Sequence, residues 1–311
     1  MVRIRSKLLA ACGLLLTLSL SAPVTAQTVL ACEPEWAALT RVLLPEARIY
    51  TATHAAQDPH HIEARPALIA QLRAAELAVC TGASLEAGWL PTLQERAGNP
   101  RVQDGRPGMF YAAQQVKLLS PQTGFITPFD GDVHPEGNPH LHADPRRMQA
   151  VALALSQRMQ QLWPAQAAQI AQRHAQFERR WQAKLQDWER RAAPLRGRAV
   201  AAQHASFAYL WHWLGLRQTL DLEPKPGMAP TPAHLQGVLQ SLRSEPPLAL
   251  VVSSYQDPRA ARWLDKQLAG QVPLLSLPAT VADAGGAEAL EQWFEQLLQA
   301  LLDAQQGRVA R

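Results

Sequence analysis

Ten histidines are spread unevenly over the 311 residues, and six of them fall where ligands could gather. His60 and His61 follow Asp58-Pro59; His134, His140 and His142 lie in the Gly/Pro-rich segment FDGDVHPEGNPHLHADP; His204 follows the apolar run Ala199–Gln203. Neutral imidazole is the commonest nitrogen ligand of Zn²⁺, bound at about 2.0–2.1 Å in a tetrahedral shell. These residue types therefore point to a divalent cation. His140 and His142 would face opposite sides of an extended backbone, so the pair need not share one ion. His134 and His61, with the acids Asp130, Asp132 and Glu136, read either as an ion-capturing loop or as a solvated turn. Three imidazoles with one open position is also the ligand set of catalytic zinc, so a secreted zinc-dependent hydrolase stands as an alternative. Against it, the chain has no His-Glu-X-X-His helix and no carboxylate recognisably placed as a general base.

Elements that would position these side chains follow from the apolar pattern. In the first half, Thr28–Cys32, Ala47–Thr53 and Leu77–Thr81 read as strands, separated by helices over Pro34–Leu44 and Pro66–Ala75. Strand–helix alternation implies a parallel sheet whose loops gather at the C-terminal strand ends, where a ligand site is expected. From Met148 to about Ala193 the pattern turns to long helix, and Ile170, Phe177, Trp181, Leu185 and Trp188 mark one apolar face. With Pro164 opening it, this helix would run about 44 Å, a length suited to a strut between two lobes. Alternation returns with strands at Ala199–Gln203, Leu248–Ser253 and Val272–Leu277 and helices over Phe207–Trp213, Ala233–Arg243, Arg259–Leu268 and Ala287–Gln305. The expected fold is α/β, two Rossmann-like lobes with parallel sheets joined by one long helix: residues 27–163, a linking helix 164–195, and residues 196–311.

Residues 1–26 combine a basic start (Arg3, Arg5, Lys7), an apolar block from Leu8 to Leu20 and small residues at Val24 and Ala26, the parts of a cleaved secretory signal. Its removal takes the formal charge from +4 to +1. No basic cluster then remains large enough to neutralise a run of phosphates, which argues against a nucleic-acid partner. Cys32 and Cys80 are left in an oxidising compartment, as a disulfide or as two buried thiols. Trp36, Trp89, Trp211 and Trp213 read as core, and Asp144 as the N-cap of a helix opened by Pro145.

ACEPEW (31–36), the Asp-Pro-His stretch of 58–91, GNPHLHADP (137–145), AAQHASFAYLWHWLGL (201–216) and EPKPGMAPTPAHL (223–235) together resemble the metal-binding receptors of bacterial zinc and manganese ABC importers, the cluster with a rigid helix between lobes. The resemblance implies ligands at His60, from Asp-Pro-His; at His140, from Asn-Pro-His-X-X-X-Asp-Pro; and at His204, from the strand-end His-X-X-Phe-X-Tyr motif. The family often has Trp where this chain has His142, which makes His142 an extra or exchangeable ligand. Its fourth ligand is usually an Asp just after the penultimate strand; no carboxylate occupies that position here, and Asp283, a few residues later, is the substitute, with water or another side chain as alternatives. Three imidazoles favour Zn²⁺ over Mn²⁺. Glu33, Glu35 and Glu63 are candidates to fix the tautomer of a ligand histidine. The implied function is that of a monomeric periplasmic receptor that captures Zn²⁺ between two lobes and delivers it to an ABC permease. A manganese-selective receptor and a metallochaperone or adhesin of the same fold are the alternatives.

Overall fold

A computed structural model of the chain describes residues 26–122, 124, 130–282 and 285–308. The segment read as an export signal lies outside the described residues as far as Thr25, and so does Asp283. The first lobe runs β1 (Thr28–Ala31), α1 (Pro34–Leu43), β2 (Arg48–Thr51), α2 (Pro66–Ala74), β3 (Leu77–Cys80), α3 (Leu90–Ala97) and β4 (Met109–Tyr111). Two long helices follow, α4 (Pro145–Leu162) and α5 (Ala167–Arg191). The second lobe comprises β5 (Ala199–Ala202), α6 (Ala208–Leu214), β6 (Arg217–Asp221), α7 (Pro232–Ser244), β7 (Leu250–Ser253), α8 (Arg259–Gln267), β8 (Leu274–Leu277) and α9 (Ala287–Gln305).

Both sheets are parallel throughout and share one topology, β2-β1-β3-β4 in the first and β6-β5-β7-β8 in the second. Each therefore reverses strand order between its two central strands, and crevices open at the C-terminal ends beside such a reversal. Proline stands in the first turn of α1, α2, α3, α4 and α7, where its missing N–H costs nothing and its fixed φ favours the helix. β3 and β7 are buried along their whole length, which is why they read as unbroken apolar runs. β4, β6 and α3 do not stand out in the sequence. β4 is three residues long, and β6 alternates exposed and half-buried side chains at a sheet edge.

The long helix differs from a bare strut. Pro164–Gln166 forms a 3-10 turn and α5 then runs 25 residues, with Ile170, His174, Phe177, Trp181, Leu185 and Trp188 buried. Trp181 and Trp188 lie 5.5 Å and 5.4 Å from the ring of Phe294 on α9, and α9 also packs on α1. One apolar interior consequently runs from Val29 and Trp36 through α5 to Val251 and Leu277, uniting the inner faces of both sheets. Separate clusters cover the outer faces, one beneath α2 and α3 and one beneath α7 and α8. Cys32 and Cys80, at the ends of neighbouring strands, are joined as a disulfide with their Cα atoms 4.7 Å apart.

Candidate metal centre

Three loops that leave strand ends, or follow one at a distance, bring His60, His140 and His204 together. Each offers a nitrogen, and these nitrogens all lie within 4.8 Å of one another. The ring centroids form a near-equilateral triangle of 5.7, 5.7 and 6.2 Å, with the rings steeply inclined to one another. Only 8, 4 and 8% of these residues' surfaces remain exposed, so the group is shielded from bulk water.

Short-range chemistry fixes each ring. Asp58 Oδ1 accepts from the His60 backbone N–H at 3.0 Å and from Nδ1 at 2.7 Å, a local turn that the spacing Asp-Pro-His permits. A carboxylate can only accept, so His60 carries its proton on Nδ1 and leaves an Nε2 lone pair. Burial works against the charged form of Asp58, yet its bonds to His60 outweigh that and hold the carboxyl below its usual range. Trp89 Nε1 donates to the Pro59 carbonyl at 2.9 Å and pins the same loop.

His140 is placed by Asn138. The Asn138 side chain accepts from His140 N–H at 2.9 Å and donates to the Ala205 carbonyl at 2.9 Å, while Tyr209 donates its hydroxyl to the Asn138 carbonyl at 2.6 Å. The loop bearing His140 is thus bolted to the segment that follows His204. Asp144 caps α4 as expected, accepting from Arg146 N–H at 2.9 Å and pairing with Arg147. The Nε2 of His140 is buried without a hydrogen-bond partner among the described residues, an orphaned ring nitrogen of the kind a cation satisfies. Burial first, and then the surrounding rings of His60, His204, His142 and His134, pushes His140 well below its ordinary pKa, so it stays neutral. His204 Nδ1 meets Glu223 Oε2 at 2.9 Å, which by the same reasoning frees its Nε2.

A fourth histidine stands beside the group, against His60. His134 Nε2 lies 3.2 Å from His60 Nε2, with His134 Nδ1 donating to the Ala83 carbonyl at 3.0 Å. Burial, and secondarily His60, lowers the His134 pKa to about 4. His61 is exposed at the mouth, which it lines with Asp58, Asp132, Glu223 and Asp257.

His142 is not part of the cluster. Its Nε2 donates to the Ala279 carbonyl at 3.0 Å, its Nδ1 stands 3.2 Å from Glu35 Oε1, and its ring stacks on Trp293 at 5.4 Å. His140 and His142 sit at the start of and inside one 3-10 turn, and their side chains diverge accordingly. Of the three glutamates named as tautomer-fixing, Glu35 meets His142, and Glu33 takes the Thr81 hydroxyl at 2.9 Å; the partners of His60 and His204 are Asp58 and Glu223. Asp58 was available from the sequence as the acid two residues before His60. Glu223 lies 19 residues beyond His204 and carries no such local signal.

Three nitrogens converging in a shielded cleft between two parallel-sheet lobes make a chelating site for a borderline transition-metal ion, with the architecture of a solute receptor. Similar folds are seen in ZnuA (18% identity, TM-score 0.70, covering 89% of this chain and 100% of that one). They recur in the solute-binding protein FpvC of Pseudomonas aeruginosa in complex with Mn²⁺ (18%, 0.71, 91% and 100%) and in the laminin-binding adhesin Lmb of Streptococcus agalactiae (20%, 0.70, 89% and 100%). No curated protein matches the sequence significantly. Residues 29–304 match the family described as zinc-uptake complex component A, periplasmic, and the chain belongs to that family of metal-binding receptors of ABC importers.

Proposed function

We propose that this chain captures Zn²⁺ in the periplasm, after removal of residues 1–26, and hands it as a monomer to an ABC permease. The observation that carries this reading is the convergence of His60, His140 and His204, from both lobes, with the second nitrogens of His60 and His204 held by carboxylates and His140 Nε2 left orphaned. Histidine nitrogens favour zinc and its neighbours in the affinity series over Mn²⁺, which prefers oxygen. Carboxylates holding the outer nitrogens strengthen the ligands and keep them aimed. Because one core unites the inner faces of both lobes, ion exchange calls for loop movements more than for wide hinge opening.

The test is calorimetric titration of the mature protein with Zn²⁺ and with Mn²⁺, beside His60→Ala, His140→Ala and His204→Ala. Zinc should bind at one equivalent and more tightly than manganese, and each variant should lose affinity. Undiminished zinc binding in all three variants would refute the site.

A further inference from the structure

We propose that His134 supplies a fourth imidazole to this zinc site, and that the segment Asp130–Gly137 which carries it is a latch fastened to the second lobe. The inference rests on the zinc-receptor reading and deepens it.

Hydrogen bonding leaves little choice of tautomer. The Ala83 carbonyl accepts from His134 Nδ1 and the Asp58 carboxylate accepts from His60 Nδ1, so with both rings neutral two Nε2 lone pairs face each other at 3.2 Å. Such an arrangement is repulsive unless a proton or a metal ion lies between them. Four nitrogens at 2.0–2.1 Å around tetrahedral zinc stand about 3.3 Å apart along each edge. The His60–His134 separation is close to that edge; His140 and His204 already lie within 4.8 Å of His60, and a movement of His134 toward them would complete the remaining corners.

The latch is built from backbone and side-chain contacts across the cleft. Asp132 N–H donates to the Pro226 carbonyl at 3.0 Å, and Lys225 Nζ pairs with Asp130 Oδ1 at 3.1 Å. Gly131 (φ +81°) and Gly227 (φ +74°) meet at this seam. A Cβ on Gly131 would stand 2.1 Å from the Pro226 carbonyl oxygen, and one on Gly227 would stand 2.1 Å from Asp132 Oδ2. Glycine takes the left-handed backbone without strain, and at Gly131 the close approach to a backbone carbonyl leaves no room for a side chain. Glu223 Oε2 accepts both from Gly227 N–H at 2.9 Å and from His204 Nδ1 at 2.9 Å, so the seam and a ligand ring share one carboxylate. The latch therefore closes where the ion sits, and its fourth nitrogen would steer the site away from Mn²⁺.

X-ray absorption at the zinc edge of the loaded protein counts imidazoles directly. Four nitrogen ligands are expected in the wild type and three with an added oxygen in His134→Ala, whose zinc affinity should fall roughly tenfold or more. His134→Asp should narrow the zinc-over-manganese preference. Gly131→Ala keeps every ligand but pushes the seam apart at the Pro226 carbonyl, and it should lower the imidazole count and speed zinc release into a chelator. A wild-type count of three, or His134→Ala with unchanged affinity, overturns the fourth ligand while leaving the three-histidine receptor standing. Gly131→Ala with wild-type coordination and release overturns the latch. Absence of zinc binding by the wild type would overturn the underlying reading as well.

Discussion

Thr280, in the loop after β8, donates its hydroxyl to the carboxylate of Glu35 in the first turn of α1, tying the second lobe to the first across 245 residues of chain. The neighbouring Ala279 carbonyl accepts from His142, whose other nitrogen faces the same glutamate. Thr280→Val keeps the shape but leaves a buried carboxylate oxygen without its donor. It should cost about 1–3 kcal/mol in denaturant unfolding, and a change below ~0.5 kcal/mol would show that the tie contributes little.

Asp58 and Glu223 touch no ion in the proposed site; they orient the rings that do. Asp58→Asn and Glu223→Gln should each weaken zinc binding by roughly 10–100-fold, with the far-ultraviolet circular dichroism unchanged. Competition with a chromophoric chelator reads the affinity. Wild-type values for both would mean that the tautomers are set by something else.

Glu33 and Glu86 form a fully buried carboxyl pair behind the strand ends. Burial raises both, Glu33 well above the usual range with the nearby Glu86 and Glu35 adding to it, and Glu86 to about 7 although backbone N–H groups of Thr81 and Gly82 draw it down. In the unfolded chain Glu86 ionises near 4.5, so below that pH both states hold its proton and no penalty exists. As pH rises from 4.5 towards 7 the folded state must either retain the proton or bury a charge, and stability falls. Melting temperatures of the metal-free protein across this window should decline more steeply in the wild type than in Glu86→Gln. Parallel profiles would exclude the pair as a source of pH dependence.

The Cys32–Cys80 disulfide closes a loop with a sequence separation of 48, which a chain-entropy argument values at about 4 kcal/mol. Reduction, or replacement of both by serine, should lower unfolding stability by roughly 2–4 kcal/mol. Equal stability with and without reductant would mean that the bridge adds nothing to the metal-free fold.

Much of the fold is legible in the residues because its strands are short, apolar and punctuated by prolines. Leu77–Cys80 and Leu250–Ser253 announce themselves as buried strands, and α9 is readable over Ala287–Gln305 from its amphipathic period. Edge strands escape notice because partial burial gives no such pattern: Arg217–Asp221 is polar at four of its five positions. At the site, His60, His140 and His204 are marked by strand-end placement and motif. His134 and His142 show where sequence stops. Both lie in one Gly/Pro-rich segment, and it took the Ala83 and Ala279 carbonyls, distant in the chain, to send one ring into the cleft and the other against Trp293.

The interior that threads from β1 through α5 to β8 also bears on how the molecule comes apart. Two lobes that each owned a private core would melt independently and give two calorimetric peaks, whereas partners that bury Trp181, Trp188 and Phe294 in common lose that packing together. A scan of the metal-free protein should accordingly trace one endotherm whose van't Hoff and calorimetric enthalpies agree, and zinc should displace that peak upward as a whole without splitting it.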